Sequence, residues 1–102
     1  MAIVEVSIVP LCTKSPSLSR YVADTLKVLS EDEDLRFELT PMGTIIEGDL
    51  ERILGAVKRM HETVFSEEVR RVVTTIKIDD RRDKSATMER KVKSVQDKLA
   101  GD

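Results

Sequence analysis

One carboxylate stands in an otherwise apolar strand. In LTPMGTIIEGDL, Leu39 to Leu50, Glu47 follows Thr44, Ile45 and Ile46 and precedes Gly48. An acid in such a setting needs a hydrogen-bond donor or a counter-ion, because burying a lone charge is costly. Two more segments alternate in the same way, EVSIVPL (Glu5 to Leu11) and VTTIKIDD (Val73 to Asp80), and each carries polar side chains on one face. Together they describe a sheet with one greasy face and one chemically equipped face. Cross-strand ion pairs on a solvated surface would account for Glu5, Glu47 or Lys77 singly. The three together, with Ser and Thr neighbours, favour a polar pocket.

The remaining reactive side chains are isolated. His61 lies beside an apolar helical stripe with no second histidine and no nearby cysteine, which reads as a helix-surface residue rather than a metal ligand. Cys12 has no evident base partner and reads as a small loop residue rather than a nucleophile. In the run Asp79-Asp80-Arg81-Arg82-Asp83-Lys84, the three cations could grip a phosphate, but the mixed signs favour salt bridges. No nucleophile–base pair, metal cluster or Gly-rich phosphate loop is present, so the reading includes no catalysis, metal or cofactor.

Elements must position these groups, and the hydrophobic period shows where they run. Ala2, Val4, Val6 and Ile8 lie on one face of a first strand, Ile3, Glu5, Ser7 and Val9 on the other, and Pro10 ends it. Ser15 as N-cap and Pro16 at the first helical position open a helix with the stripe Leu18, Tyr21, Val22, Leu26 and Leu29. The acidic run Glu31 to Asp34 breaks the pattern. A second strand puts Leu35, Phe37 and Leu39 on one side and Arg36, Glu38 and Thr40 on the other, and Pro41-Met42-Gly43 is a turn by chemistry. A third strand, Thr44 to Glu47, precedes Asp49, which caps a helix with the stripe Leu50, Ile53, Leu54, Val57, Met60 and Val64. Arg71 to Asp79 is a β-branched fourth strand, and Met88, Val92, Val95 and Leu99 mark a C-terminal helix.

This order, β-α-β-β-α-β plus a helix, implies an α+β, ferredoxin-like split βαβ fold: an antiparallel four-stranded sheet with both crossover helices on one face. The other face then presents Glu5, Ser7, Val9, Glu38, Thr40, Ile45, Glu47, Val73, Thr75 and Lys77. No helix of the pattern covers it, so it suits association with a second copy.

The chain has 102 residues, which favours one domain, residues 1–102, with a small core. With 40% hydrophobic residues and Phe37, Phe65 and Tyr21 as its aromatics, that core is built from Val, Ile, Leu and Met. A balance of 17 basic against 19 acidic residues offers no field to draw nucleic acid or an anionic membrane. The inner strands also lack the stacking aromatics that RNA-binding sheets use. The lone Cys12 excludes an internal disulfide, no apolar run approaches the roughly 20 residues of a membrane span, and no secretory pattern opens the chain. A cytoplasmic protein is expected.

Over nearly its whole length the sequence resembles the small thiamine-binding (YkoF-like) proteins. The resemblance is carried by EVSIVPL, the SLSRYVADTL helix, LTPMGTIIEGDL, TTIKIDDRRDK and TMERKV. It implies the ferredoxin-like fold, sheet-mediated homodimers, homotetramers, and thiamine or its pyrimidine as ligand. Carried over residue by residue, it implies Glu5, Ser7, Thr40, Thr44, Glu47 and Asp79 as ligand-binding positions, with Met42 and Gly43 shaping the turn. Two positions depart from the family pattern: Cys12 where VPLGT has Gly, and Arg90 where TMEGKV has Gly.

Such a ligand suits these residues. An aminopyrimidine offers a ring nitrogen and an exocyclic amine, which one carboxylate, Glu47 or Glu5, can engage in two parallel charge-assisted hydrogen bonds. The expectation places Glu47 as the principal acid, with a donor from Lys77, a neighbouring subunit or the ligand. A second carboxylate would favour the thiazolium cation, and Ser and Thr hydroxyls would read the polar edges. The alternative is an oligomeric structural or regulatory module whose polar face only fixes subunit register.

Overall fold

β1 (Ala2–Pro10) runs through the middle of a four-stranded sheet ordered β2-β3-β1-β4, with β2 at Arg36–Thr40, β3 at Gly43–Gly48 and β4 at Val72–Asp80. The computed structural model describes residues 1–14, 18–83 and 88–101, the side chains of Met88 and Glu89 excepted. All strand pairs are antiparallel, with α1 (Ser19–Ser30) linking β1 to β2 and α2 (Leu50–Val64) linking β3 to β4. This is the ferredoxin-like α+β arrangement expected from the element order.

The period-two alternation of β1 sorts its side chains as expected. Ala2, Val4 and Val6 are buried with Ile46 of β3 against Leu29 of α1 and Ile53, Ala56, Val57 and Met60 of α2. Each Val, Leu, Ile or Met among them withdrawn from water stabilises by roughly 1.5–3 kcal/mol. The α2 stripe turns slightly from its expected line: Ala56 is fully buried while Leu54 is exposed. Steps of three and four from Ile53 through Ala56, Val57 and Met60 to Val64 set the buried edge, and Leu54 falls outside it.

Local chemistry fixes the helix ends. The Asp49 carboxylate caps α2 by accepting the Arg52 N–H at 3.2 Å. The Arg52 guanidinium donates to Asp32 in turn, tying the loop before β2 to α2. α1 begins at Ser19 with Leu18 at its N-cap and no side-chain cap, and the expected cap Ser15-Pro16 lies outside the described residues.

The register places Glu47 between Arg36 and Ile3, and Ile45 between Glu38 and Glu5, on the face away from α1 and α2. Asp79 and Lys77 extend these two rows onto β4. α3 (Met88–Leu99) follows β4, and its Val92, Val95 and Leu99 are all exposed. No helix among the described residues is long and apolar enough to cross a membrane.

Candidate functional site

Unequal strand lengths create a notch in the sheet. β1 has nine residues and β3 has six, so the β1–β3 ladder ends at Val6 and Thr44 while the β1–β4 ladder continues to Pro10 and Val72. Ser7 to Pro10 therefore have a strand on one side only. The β2–β3 turn and the first turns of α1 close the other side around a cavity of about 200 Å³. Ser7, Ile8 and Val9 line it from β1, Thr40, Pro41, Met42, Gly43 and Thr44 from the turn, and Leu18, Tyr21, Val22 and Thr25 from α1, with Met60 of α2 alongside.

The hydroxyls around this cavity are not equivalent. Thr40 Oγ1 donates to the Gly43 carbonyl at 2.8 Å and accepts the Met42 and Gly43 N–H groups, so it staples the turn. Thr25 Oγ1 donates to the Val22 carbonyl within its own helix. Thr44 is only 5% exposed, yet its hydroxyl has no hydrogen-bond partner among the described residues. Every fully occluded side-chain polar atom among the described residues is partnered, so the Thr44 oxygen keeps its access through the cavity it lines. Ser7 likewise has no side-chain partner among the described residues. Gly43 is held by a close approach: a Cβ there would stand 2.9 Å from the Val6 carbonyl oxygen.

Five of the eight expected positions thus meet at one place: Ser7, Thr40, Met42, Gly43 and Thr44. The three acids lie outside that lining. Glu5 is exposed on the outer face beside Gly43, its Cγ 3.7 Å from where a Gly43 Cβ would be. Glu47 is four residues further along β3, about 13 Å at strand rise. Its carboxylate has Arg36 at 3.8 Å rather than Lys77, because the register sets Arg36 opposite Glu47 and Lys77 opposite Glu5. Asp79 pairs with Lys91 of α3.

Several lining residues were not singled out for function from the sequence, notably Ile8, Tyr21, Thr25 and Met60. Tyr21 and Thr25, one helical turn apart on a stripe otherwise made of Leu and Val, are the one sequence signal that a polar cavity adjoins α1.

The isolated residues find structural roles. His61 Nδ1 and Thr74 Oγ1 are 2.6 Å apart, and the ring meets Phe65 edge-on at 5.2 Å, so the histidine is half-buried between α2 and β4. Arg81 pairs with Asp83 and Arg82 with Asp80, while Lys84 lies outside the described residues. Cys12 is exposed and adopts φ 62°, the left-handed region that favours glycine.

The family model for thiamine-binding proteins matches residues 4–96. The chain belongs to this thiamine-binding protein family. Among its relatives, the UPF0045 protein YqgV of Bacillus subtilis is 44% identical, with 97% of this chain and 98% of that protein aligned. The UPF0045 protein MJ1052 of Methanocaldococcus jannaschii is 47% identical over 91% of this chain and 90% of that one. A crystal structure of MJ1052 superposes at a TM-score of 0.85, covering 93% of this chain and 95% of that chain at 45% identity. A Thermotoga maritima protein provisionally assigned to thiamine biosynthesis or salvage shares the fold at a TM-score of 0.74 and 23% identity, over 92% of this chain and 97% of that one. Within the thiamine-binding family, then, this member presents a notch lined by β1, the β2–β3 turn and α1.

Proposed function

We propose that the protein binds thiamine through its aminopyrimidine, held in the notch between the β2–β3 turn and α1, and performs no chemistry on it. The observation that carries this reading is the unpartnered, nearly buried Thr44 hydroxyl facing a largely apolar cavity. The Thr44 oxygen reaches the cavity without a protein partner, so a polar ligand seated there gains a hydrogen bond worth about 0.5–1.5 kcal/mol net. The cavity is smaller than the roughly 300–1,000 Å³ of drug-sized sites, which fits one ring rather than two. The pyrimidine would enter, with Met42 and Tyr21 against its faces, and the cationic thiazolium would stay at the rim near Glu5. Family membership and the provisional role of the Thermotoga relative support the same ligand class.

A thermal shift series tests this with thiamine, free hydroxymethyl aminopyrimidine and the thiazole alcohol. The first two should raise the melting temperature and the third should not. Ligand at 100 times its dissociation constant adds about 2.7 kcal/mol, a shift of more than about 10 °C for a domain this size. No shift with millimolar thiamine or aminopyrimidine would overturn the reading.

The proposal includes association of two copies through the outer sheet face, with α3 completing a tetramer. Val73 is exposed on that face with Ile3, Val9 and Ile45 half-buried, and Leu99 of α3 is 82% exposed. Exposed β-branched residues on an uncovered sheet and a helix stripe with heptad-like spacing suit self-association. Light scattering at micromolar concentration should give a dimer or tetramer mass, and a monomer would contradict it.

A further inference from the structure

The polar groups that border the notch include backbone as well as hydroxyls. In an antiparallel strand, successive residues turn their N–H and C=O groups to opposite edges. Two observations fix which way β1 faces. The Val6 carbonyl oxygen lies 2.9 Å from the Cβ position of Gly43, so Val6 faces β3. The Leu11 N–H donates to the Arg71 carbonyl at 2.9 Å, so Leu11 faces the β4 side. Even-numbered β1 residues therefore turn toward β3, and odd-numbered ones toward β4. β3 ends its pairing opposite Val6, so the N–H and C=O of Ile8 point to an edge with no strand on it. No turn, loop or cap hydrogen bond among the described residues reaches Ile8. Pro10, the next residue with this orientation, has no N–H to leave unpaired.

One residue thus presents a donor and an acceptor side by side on the wall of the cavity that the Thr44 hydroxyl also lines. We propose that the Ile8 N–H and C=O are the two-point reader of the ligand: the N–H donates to a pyrimidine ring nitrogen and the C=O accepts from the adjacent exocyclic amine. The ligand then replaces, at the notch, the strand edge that β3 does not supply. This inference rests on the notch being the binding site and specifies its recognition chemistry. It requires a heterocycle with an acceptor nitrogen next to an amine, and it assigns that reading to backbone rather than to a carboxylate.

An amide-resolved NMR titration of the full chain tests it. In the free protein the Ile8 amide should exchange with solvent at least tenfold faster than that of Val6. Hydroxymethyl aminopyrimidine should shift the Ile8 amide resonance and slow its exchange at least tenfold. The same pyrimidine with hydrogen in place of the amine should bind at least tenfold more weakly. If the aminopyrimidine binds with lining residues such as Thr44 perturbed but Ile8 unmoved, or if the deamino analogue binds equally well, the backbone reader is wrong and the notch stands. Binding without perturbation of the lining, or no binding at all, overturns both.

Discussion

Arg36 of β2 stands directly across the strand pair from Glu47 of β3, its guanidinium 3.8 Å from a carboxylate whose side chain is 2% exposed while that of Arg36 is 60% exposed. The acid that looks most like a ligand contact in the sequence therefore has a protein cation beside it. The energy of this pair falls between two regimes. Exposed pairs contribute up to about 1 kcal/mol, and breaking buried ones costs about 3–5 kcal/mol. Arg36→Ala should lower stability by about 1–2 kcal/mol in urea unfolding and leave aminopyrimidine affinity unchanged. A loss of affinity at constant stability would return Glu47 to the binding site.

Asp32 provides a pH signature of the fold. Hydrogen bonding from the Arg52 guanidinium, outweighing partial desolvation, holds its carboxyl below the ordinary carboxylate range. A folded-state value below the unfolded one contributes stability that is present above about pH 4 and is lost as pH falls through the depressed value. Asp32→Asn should therefore be less stable than the parent at pH 7, and the gap should close toward pH 2. A gap that is unchanged from pH 7 to pH 2 would show that the pair contributes nothing to folding.

Cys12 holds a backbone conformation that suits another residue. At φ 62° a side chain crowds the backbone by about 1–2 kcal/mol, partly offset by the extra chain entropy glycine loses on folding. Cys12→Gly, which restores the VPLGT pattern of the family resemblance, should stabilise by about 0.5–1 kcal/mol. Calorimetric unfolding in reducing buffer measures this, and a destabilised variant would contradict the assignment.

Much of this architecture was legible because alternation and helical spacing are local properties. Glu5 and Ser7 against Val4 and Val6, and Ile53 through Val64, sort to the faces their periods imply, and Asp49 caps where its chemistry suits a cap. The site was legible only in part, because it depends on where one strand stops beside another. Pro41-Met42-Gly43 announces a turn, but nothing local reveals that the pairing of β3 with β1 stops at Val6 and leaves Ile8 with a free edge. The same gap in information hid the cation beside Glu47: Arg36 was on the correct face, but only the register sets it opposite Glu47 rather than one row away.

Thr44 separates stability from binding. Removing its hydroxyl without changing side-chain shape breaks no hydrogen bond within the protein, so Thr44→Val should leave the stability of the free protein within about 0.5 kcal/mol. The same change should raise the dissociation constant for hydroxymethyl aminopyrimidine several-fold. A destabilised variant would mean the hydroxyl has a partner in the free protein.

Calorimetric titration of hydroxymethyl aminopyrimidine into Thr44→Val and Glu47→Gln, side by side with the parent chain, tests the central claim most directly. The notch reading predicts that Thr44→Val weakens binding five- to tenfold, the loss of about one hydrogen bond, while Glu47→Gln binds as the parent does. Loss of binding in Glu47→Gln with Thr44→Val unaffected would contradict it and place the ligand on the outer face of the sheet.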